Sequence, residues 1–335
     1  MPLRVLVIKT SSLGDVVHTL PALTDAHRAC PQLRFDWVVE EGFAEIPRWH
    51  PAVDEVIPVA IRRWRKSPWQ TWRSGEWSGF KQRLGARRYD LVIDAQGLLK
   101  SAWLTRLVDA PVAGLDARSA REPLATRFYD RRYAVPVEQH ALERVRQLFA
   151  QALDYPLPPS SADYGLDRSR LAGQPDEPYL LFLHGTTWPS KHWPEAFWRE
   201  LAERTVAAGW RVRLPWGNQD ERLRAERIAD GLAGVMVLPR LNLTGVAAQI
   251  AGASACVAVD TGLGHLAAAL GVPGVSLYGP TRPGRIGAYG PGQVHLCAEG
   301  PNAGRGDRHK PCFENLTPDR VLDALTTLVS RAETA

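Results

Sequence analysis

Twice along this chain, short apolar runs alternate with helical stretches, and the runs end in polar or glycine-bearing loops. The first series opens with Arg4–Lys9, followed by a helical stretch from Val16 to about Arg28. It continues through Phe35–Val39 and Leu91–Asp94, with a further helix beginning near Lys100. The second series runs through Tyr179–His184, Arg211–Pro215, Val235–Leu238, Cys256–Val259 and Val272–Tyr278. Helices are predicted between them at Pro194–Ala208, Gln219–Asp230, Leu243–Gly252 and Leu263–Leu270. Near-continuous apolar strands separated by helices imply βαβ units and parallel sheets buried on both faces. The expected fold class is α/β, with two Rossmann-like doubly wound domains facing across a cleft. Ligands of such sheets bind beyond the carboxyl ends of the strands, so the loops there are where chemistry is expected.

A chain of 335 residues is long enough for two domains of that kind. Pro156, Pro158, Pro159, Pro175 and Pro178 crowd the stretch between the two series, which reads as a linker. The expected division is residues 1–155, a linker at 156–178, a second domain at 179–316 and a terminal helix within 317–335. Residues 1–9 are too short an apolar segment for a signal peptide and read instead as a buried first strand. No apolar run approaches the roughly 18 residues that span a bilayer, so any membrane association is expected to be peripheral. Cys30, Cys256, Cys297 and Cys312 form no CxxC pair, which argues against a zinc site or a disulfide framework.

The net charge is only +5, yet it is unevenly placed. Arg62, Arg63, Arg65, Lys66, Arg73, Lys81, Arg83, Arg87 and Arg88 stand against the single acid Glu76 in that stretch. Trp64, Trp69, Trp72 and Trp77 are interleaved with them. Cations with indoles suit phosphate headgroups at a membrane interface, single-stranded nucleic acid, or a solvated loop with some tryptophans anchored in the core.

Four loops carry candidate chemistry. The loop after the first strand, Lys9 to His18, has one glycine, and therefore neither GxGxxG nor GK[ST]. It leaves Asp15 at the start of a helix, either as a cap or as a carboxylate base. His184 to Trp193 joins the hydroxyls of Thr186 and Thr187 to Lys191 ahead of a helix, a set suited to a diphosphate. In Asp260-Thr261-Gly262-Leu263-Gly264-His265, the glycines allow close backbone approach and the helix offers its N-terminus to phosphate. Asp260 stands where it can hydrogen-bond sugar hydroxyls, while a tight turn with His265 packed in the core is the plainer alternative. Glu221, after Trp216-Gly217-Asn218, either grips a ribose or favours the helix dipole.

Together, SSLGDVVHTLPAL, IRRWRK, DAQGLLKSA, AREPLA, HGTTWPSKHWPE, LPWGNQDE, VDTGLGHLAAAL and YGPTRPG resemble the lipopolysaccharide heptosyltransferase family. The resemblance is to its type I form, since the type II loop carries a GDMVM-like sequence. It runs from the first strand to about Gly287 in the family's order. It implies a GT-B fold and an inverting transfer of heptose from ADP-L-glycero-β-D-manno-heptose to the Kdo of Kdo2-lipid A. The work would be done at the cytoplasmic face of the bacterial inner membrane, with peripheral attachment and no nucleic-acid partner. By resemblance, Asp15 is the general base. Thr186, Thr187 and Lys191 hold the diphosphate, Glu221 the ribose, Asp260 the heptose, and the turn Thr261, Gly262, Leu263, Gly264 and His265 takes phosphate. Ser12, Gly14, Arg62, Arg63, Arg65, Lys66, Lys100 and Arg121 are implied to meet the acceptor.

An aspartate titrates near pKa 3.9 in model peptides, so removal of an alcohol proton must come late in attack. No DxD-like metal site stands out, and Lys191 with the helix N-terminus can meet the charge of the leaving diphosphate. Metal independence, with no cofactor, is therefore expected. Two other readings remain: another nucleotide-sugar enzyme such as an epimerase or a heptosyltransferase II-like core transferase, and a non-catalytic binder of lipopolysaccharide or nucleic acid.

Overall fold

In the computed structural model the chain divides into two units, Met1–Leu166 and Asp167–Ala335. The structure describes residues 3–173, 177–300, 303–305, 307–309, 312, 313 and 315–333. Met1 and Pro2 of the expected first strand, Pro175 of the linker reading, and residues 334 and 335 of the terminal segment lie outside them.

The first unit holds β1 (Arg4–Ile8), β2 (Arg34–Glu40), β3 (Val53–Val59), β4 (Leu91–Asp94), β5 (Val112–Leu115) and β6 (Arg131–Tyr133). They form one sheet in the order β3-β2-β1-β4-β5-β6, with every pairing parallel. The second unit holds β7 (Tyr179–Leu183), β8 (Arg211–Leu214), β9 (Val235–Val237), β10 (Ala255–Val259), β11 (Gly274–Tyr278) and β12 (Gln293–Cys297). Their order is β12-β11-β10-β7-β8-β9, again all parallel. Counted from the first strand of each unit, the two orders are the same. Each sheet therefore reverses its winding between its first and fourth strands, β1/β4 and β7/β10. That switch point is where an open α/β sheet leaves a crevice for ligand.

The strands beside the switch points are wholly buried apart from Arg4. Both edge strands of the first sheet carry polar residues: β3 includes Asp54 and Glu55, with Pro58 beside them, and β6 reads Arg131-Arg132-Tyr133. Pro58 is tolerated because an edge strand has one row of unpaired backbone groups. The helix expected from Val16 to Arg28 is two helices, Leu13–Val17 and Leu20–Ala29, parted at His18-Thr19. Pro21 sits in the first turn of the second, where its missing N–H costs nothing, and could not continue the first.

Much of the stretch read as linker packs on the first unit. Arg146 donates to the carbonyls of Pro158 and Ser160 and, at 2.6 Å, to buried Asp25. Gly165 has φ of +65°, and a side chain there would lie 2.6 Å from His50 Nε2. Only glycine meets both demands. In the second unit the helix Pro318–Glu333 is part of the core, with Val321, Leu325, Leu328 and Val329 packed among Leu180, Phe182, Val257 and Val275.

Candidate functional site

The second unit gathers its polar residues beyond β7 and β10. Asp260 follows β10 directly, and its Oδ2 accepts from Lys191 Nζ at 2.6 Å and from Thr281 Oγ1 at 2.6 Å. The lysine and aspartate side chains are 12% and 4% exposed. His265 Nε2 lies 3.8 Å from Asp260 Oδ1, and Thr186 Oγ1 donates to the Asp260 carbonyl at 3.2 Å. Lys191 ends the turn Pro189–Lys191, which folds its ammonium back to 4.4 Å from the centre of the Trp188 ring. The Arg308 guanidinium lies at the same distance from that ring, so one indole serves two cations.

The helix Gly262–Ala269 starts beside this cluster. Its N-cap Thr261 makes no side-chain cap hydrogen bond, so the hydroxyl leaves the first N–H groups to another acceptor. Gly264 is the close-packing glycine of the turn, since a Cβ there would lie 3.2 Å from that of Ala258. Gly262 and Leu263 are half-buried and His265 is buried. Thr187 is exposed on the β7 loop. Glu221, third residue of the helix Gln219–Ala229, accepts the Gly217 N–H at 2.7 Å. Its carboxylate reaches the β7 loop because Gly185 has no side chain, and a Cβ there would lie 2.8 Å from Glu221 Cδ. Behind the loop, burial pushes the His184 imidazole down to about 4, with Arg224 adding to it. Burial first, and then Arg224, also lowers His192.

The first unit repeats the placement beyond β1 and β4. Ser12 is the N-cap of Leu13–Val17, and Asp15 is that helix's third residue. Asp15 Oδ2 accepts both the Ser12 N–H and the Ser12 hydroxyl at 2.8 Å. The capping and functional readings of Asp15 are thus compatible, because a capping box occupies one oxygen. Oδ1 lies 4.0 Å from Lys9 Nζ, and the carboxylate is 44% exposed. Lys9 is itself anchored on the Ala95 carbonyl at 2.9 Å. Gly14 is buried in the same turn. From the β4 side, Lys100 Nζ donates to Ser11 Oγ at 2.8 Å, and Gln96 bonds both Thr10 and the Ser11 carbonyl. Burial lowers the pKa of Lys100, with Arg62 adding to it, while Glu40, Asp15 and Glu122 act in the opposite sense.

The basic residues separate. Arg62 stands near Lys100, with its backbone N–H on Glu40 Oε1 and its guanidinium over Phe43. Arg63 is held by Glu41 at 3.0 Å and by Glu76 at 2.8 Å, which makes it a clamp between two carboxylates. Arg65 lines an apolar cavity, and Lys66 is exposed. Arg121, also exposed, follows a turn packed on the β4 loop, where its backbone N would lie 3.6 Å from a Cβ at Gly97.

Sequence reasoning passed over Lys9, Ser11, Gln96, Trp188, Thr281 and Arg308. A lysine closing an otherwise apolar strand was the available signal for Lys9, and the YGPT segment for Thr281. Among the described residues, no three or more of His, Cys, Asp and Glu are grouped to hold a metal ion. Among them, too, no helix is long and apolar enough to cross a membrane.

The profile of glycosyltransferase family 9 (heptosyltransferase) matches residues 77–316. Lipopolysaccharide heptosyltransferase 1 of Pseudomonas aeruginosa is 64% identical, over 99% of this chain and 99% of that protein. The solved structure of E. coli heptosyltransferase WaaC with ADP aligns at a TM-score of 0.90 and 49% identity, covering 97% of this chain and 100% of that one. WaaC with ADP-2-deoxy-2-fluoro heptose aligns at 0.86 and 47%, covering 99% and 100%.

Proposed function

The chain belongs to glycosyltransferase family 9, the heptosyltransferases, and from that premise we infer which residues serve each substrate. It has the GT-B fold and transfers heptose in synthesis of the lipopolysaccharide inner core. Its donor is a nucleotide-activated heptose, ADP-L-glycero-β-D-manno-heptose, and we assign that donor to the second unit. The acceptor is the Kdo of Kdo2-lipid A, reached by a chain peripherally attached to the cytoplasmic face of the inner membrane.

One observation carries this assignment. Two crevices occur at the same topological position in two sheets, and their chemistry differs. The β7/β10 crevice pairs an ammonium with a carboxylate beside a helix N-terminus. The β1/β4 crevice presents a half-exposed carboxylate among lysines and a hydroxyl. The first suits a diphosphate and a sugar. The second suits an anionic acceptor whose hydroxyl must lose a proton.

In the reaction, the Lys191 ammonium turns from Asp260 to the diphosphate, joined by Thr186, Thr187 and the turn Thr261–His265. Asp260 is thereby released to the heptose hydroxyls, with Thr281 holding one of its oxygens. Glu221 takes the ribose. The acceptor hydroxyl attacks the anomeric carbon opposite the leaving diphosphate, the C–O bond to ADP breaks, and the configuration inverts. Asp15 Oδ1 receives the proton while Oδ2 stays on Ser12. Arg62, Arg65, Lys66, Lys100 and Arg121 meet acceptor phosphates and carboxylates, and Arg63 braces that surface. The lysine and helix N-terminus stabilise the diphosphate without a metal ion.

The test is ADP release from ADP-heptose with and without Kdo2-lipid A. Acceptor-dependent release, with product heavier by one heptose, supports the assignment. Preference for a UDP-sugar, or release indifferent to acceptor, overturns it.

A further inference from the structure

The first unit contains an open cavity of about 450 Å³ whose apolar walls have no part in the reaction above. That volume is within the range of small-molecule sites. Its walls come from the segment 61–77 and the helix Leu99–Thr105, with Ile61, Trp64, Pro68, Trp77 and Leu104 among them. Trp77 stacks on Trp103 at 5.5 Å and meets Trp64 edge-on at 5.7 Å, which makes the wall stiff. The one polar atom of the Trp64 ring is turned away, because its Nε1–H donates to Glu76 Oε2 at 2.9 Å. Arg63 holds that same carboxylate. Trp72 and Trp103, both lining residues, remain 65% and 50% exposed.

Two cations complete the lining, Arg65 and Lys100. Lys100 also bonds Ser11, in the loop that carries Asp15. Lys100 thus belongs both to the cavity lining and to the proposed acceptor crevice. An apolar chamber with cations in its lining fits a molecule having a hydrocarbon chain and an anionic head. We propose that this cavity receives one hydrocarbon chain of the acceptor lipid, with the anionic headgroup on Arg65 and Lys100. The inference rests on the acceptor assignment above and adds to it a site for the lipid portion. Chain burial would give the enzyme a preference for acylated over deacylated acceptor.

Binding of n-alkyl phosphates below their micellar concentrations tests the site without any transfer. Affinity is expected to rise about fourfold per methylene and then level off within the series from hexyl to hexadecyl, once the cavity is full. Uncharged alkyl glucosides of the same lengths should bind at least tenfold more weakly. Thr71 is buried in the lining, and Thr71→Phe should fill the chamber and abolish the chain-length dependence. Its melting curve reports whether it folds, and the length series on the unaltered protein stands whether or not it does. In transfer assays, deacylated Kdo2-lipid A should show a KM at least fivefold above that of the acylated form. Affinities equal to inorganic phosphate at every length overturn the proposal. So does a rise with no plateau that Thr71→Phe leaves intact, which would assign the exposed tryptophans to a bilayer surface. If neither acceptor is used, the functional assignment fails while the alkyl phosphate series still decides the cavity.

Discussion

Lys191 and Asp260 meet at 2.6 Å, although they are 69 positions apart and leave different strands of the second sheet. Their pairing places a buried carboxylate where the ammonium needs a counter-ion when no diphosphate is present. Removing one partner of such a pair costs about 3–5 kcal/mol, because the other is left buried and uncompensated. Lys191→Met and Asp260→Asn are each expected to lower stability by about that much in urea denaturation. The double variant should lose at least 1 kcal/mol less than the sum. Additive losses would mean that the two groups are not coupled in the folded protein.

Asp15→Asn keeps an oxygen for the Ser12 N–H and removes the base. Its kcat is expected to fall by about 10²–10⁴ while donor affinity stays within about twofold. Asp15→Ala should add a loss of about 1 kcal/mol of stability by removing the capping-box acceptor of the Ser12 N–H. Near-normal kcat in the asparagine variant, read as ADP release, would remove Asp15 as the base.

Arg62→Ala and Arg65→Ala are expected to raise acceptor KM severalfold with little change in kcat, and the effect should shrink as salt rises. Arg63 differs because its guanidinium is already shared by Glu41 and Glu76. Replacing it should loosen the Trp64 framework, so its effect should persist at high salt. Steady-state kinetics at two ionic strengths separates the cases, and a salt-sensitive Arg63 variant would return that residue to the acceptor surface.

Turnover is expected to be unaffected by excess chelator, since Lys191 and the helix N-terminus supply the charge that the leaving diphosphate requires. Activity lost in chelator and restored by magnesium would contradict this.

His50 and His184 are held neutral. Burial pushes each from the ordinary 6.5 down to about 4. For His50 the bonding agrees: Nδ1 accepts the Ala52 N–H at 3.2 Å, leaving Nε2–H for Thr24. Below pH 6.5 the unfolded chain takes up protons that the folded chain refuses, so stability is complete above 6.5 and declines as pH falls toward 4. Each histidine contributes at most about 3 kcal/mol to that decline. Melting temperature followed from pH 8 to 4 should fall through this window, and His50→Asn should flatten it. An unchanged slope in the variant would exclude His50.

The strands at the two switch points were legible because burial on both faces forces continuous apolar runs, as in Leu91-Val92-Ile93 and Tyr179–Leu183. Edge strands β3, β6 and β12 were not, since one open side admits Asp54, Arg131 or His295. The short β5 was hidden by Gly114. Asp15, Lys191 and Asp260 were each visible as a polar residue closing a strand or opening a helix. That Lys191 and Asp260 touch was not, because it depends on how the turn Pro189–Lys191 folds over β10. Arg63 was grouped with its neighbours by charge, and only the positions of Glu41 and Glu76 distinguish it. The cavity was foreshadowed as a tryptophan-rich basic stretch, but its walls need the helix Leu99–Thr105, which the local pattern does not bring near.

The helix Pro318–Glu333 supplies side chains to the core beneath β7, β10 and β11. During synthesis the first unit is complete once Leu166 has emerged, and it can fold while translation continues. The second cannot close its interior until its last helix leaves the ribosome. Until then the apolar residues that this helix covers stay open to water. Stalling or truncation ahead of Pro318 would leave an intact first unit tethered to an aggregation-prone second one.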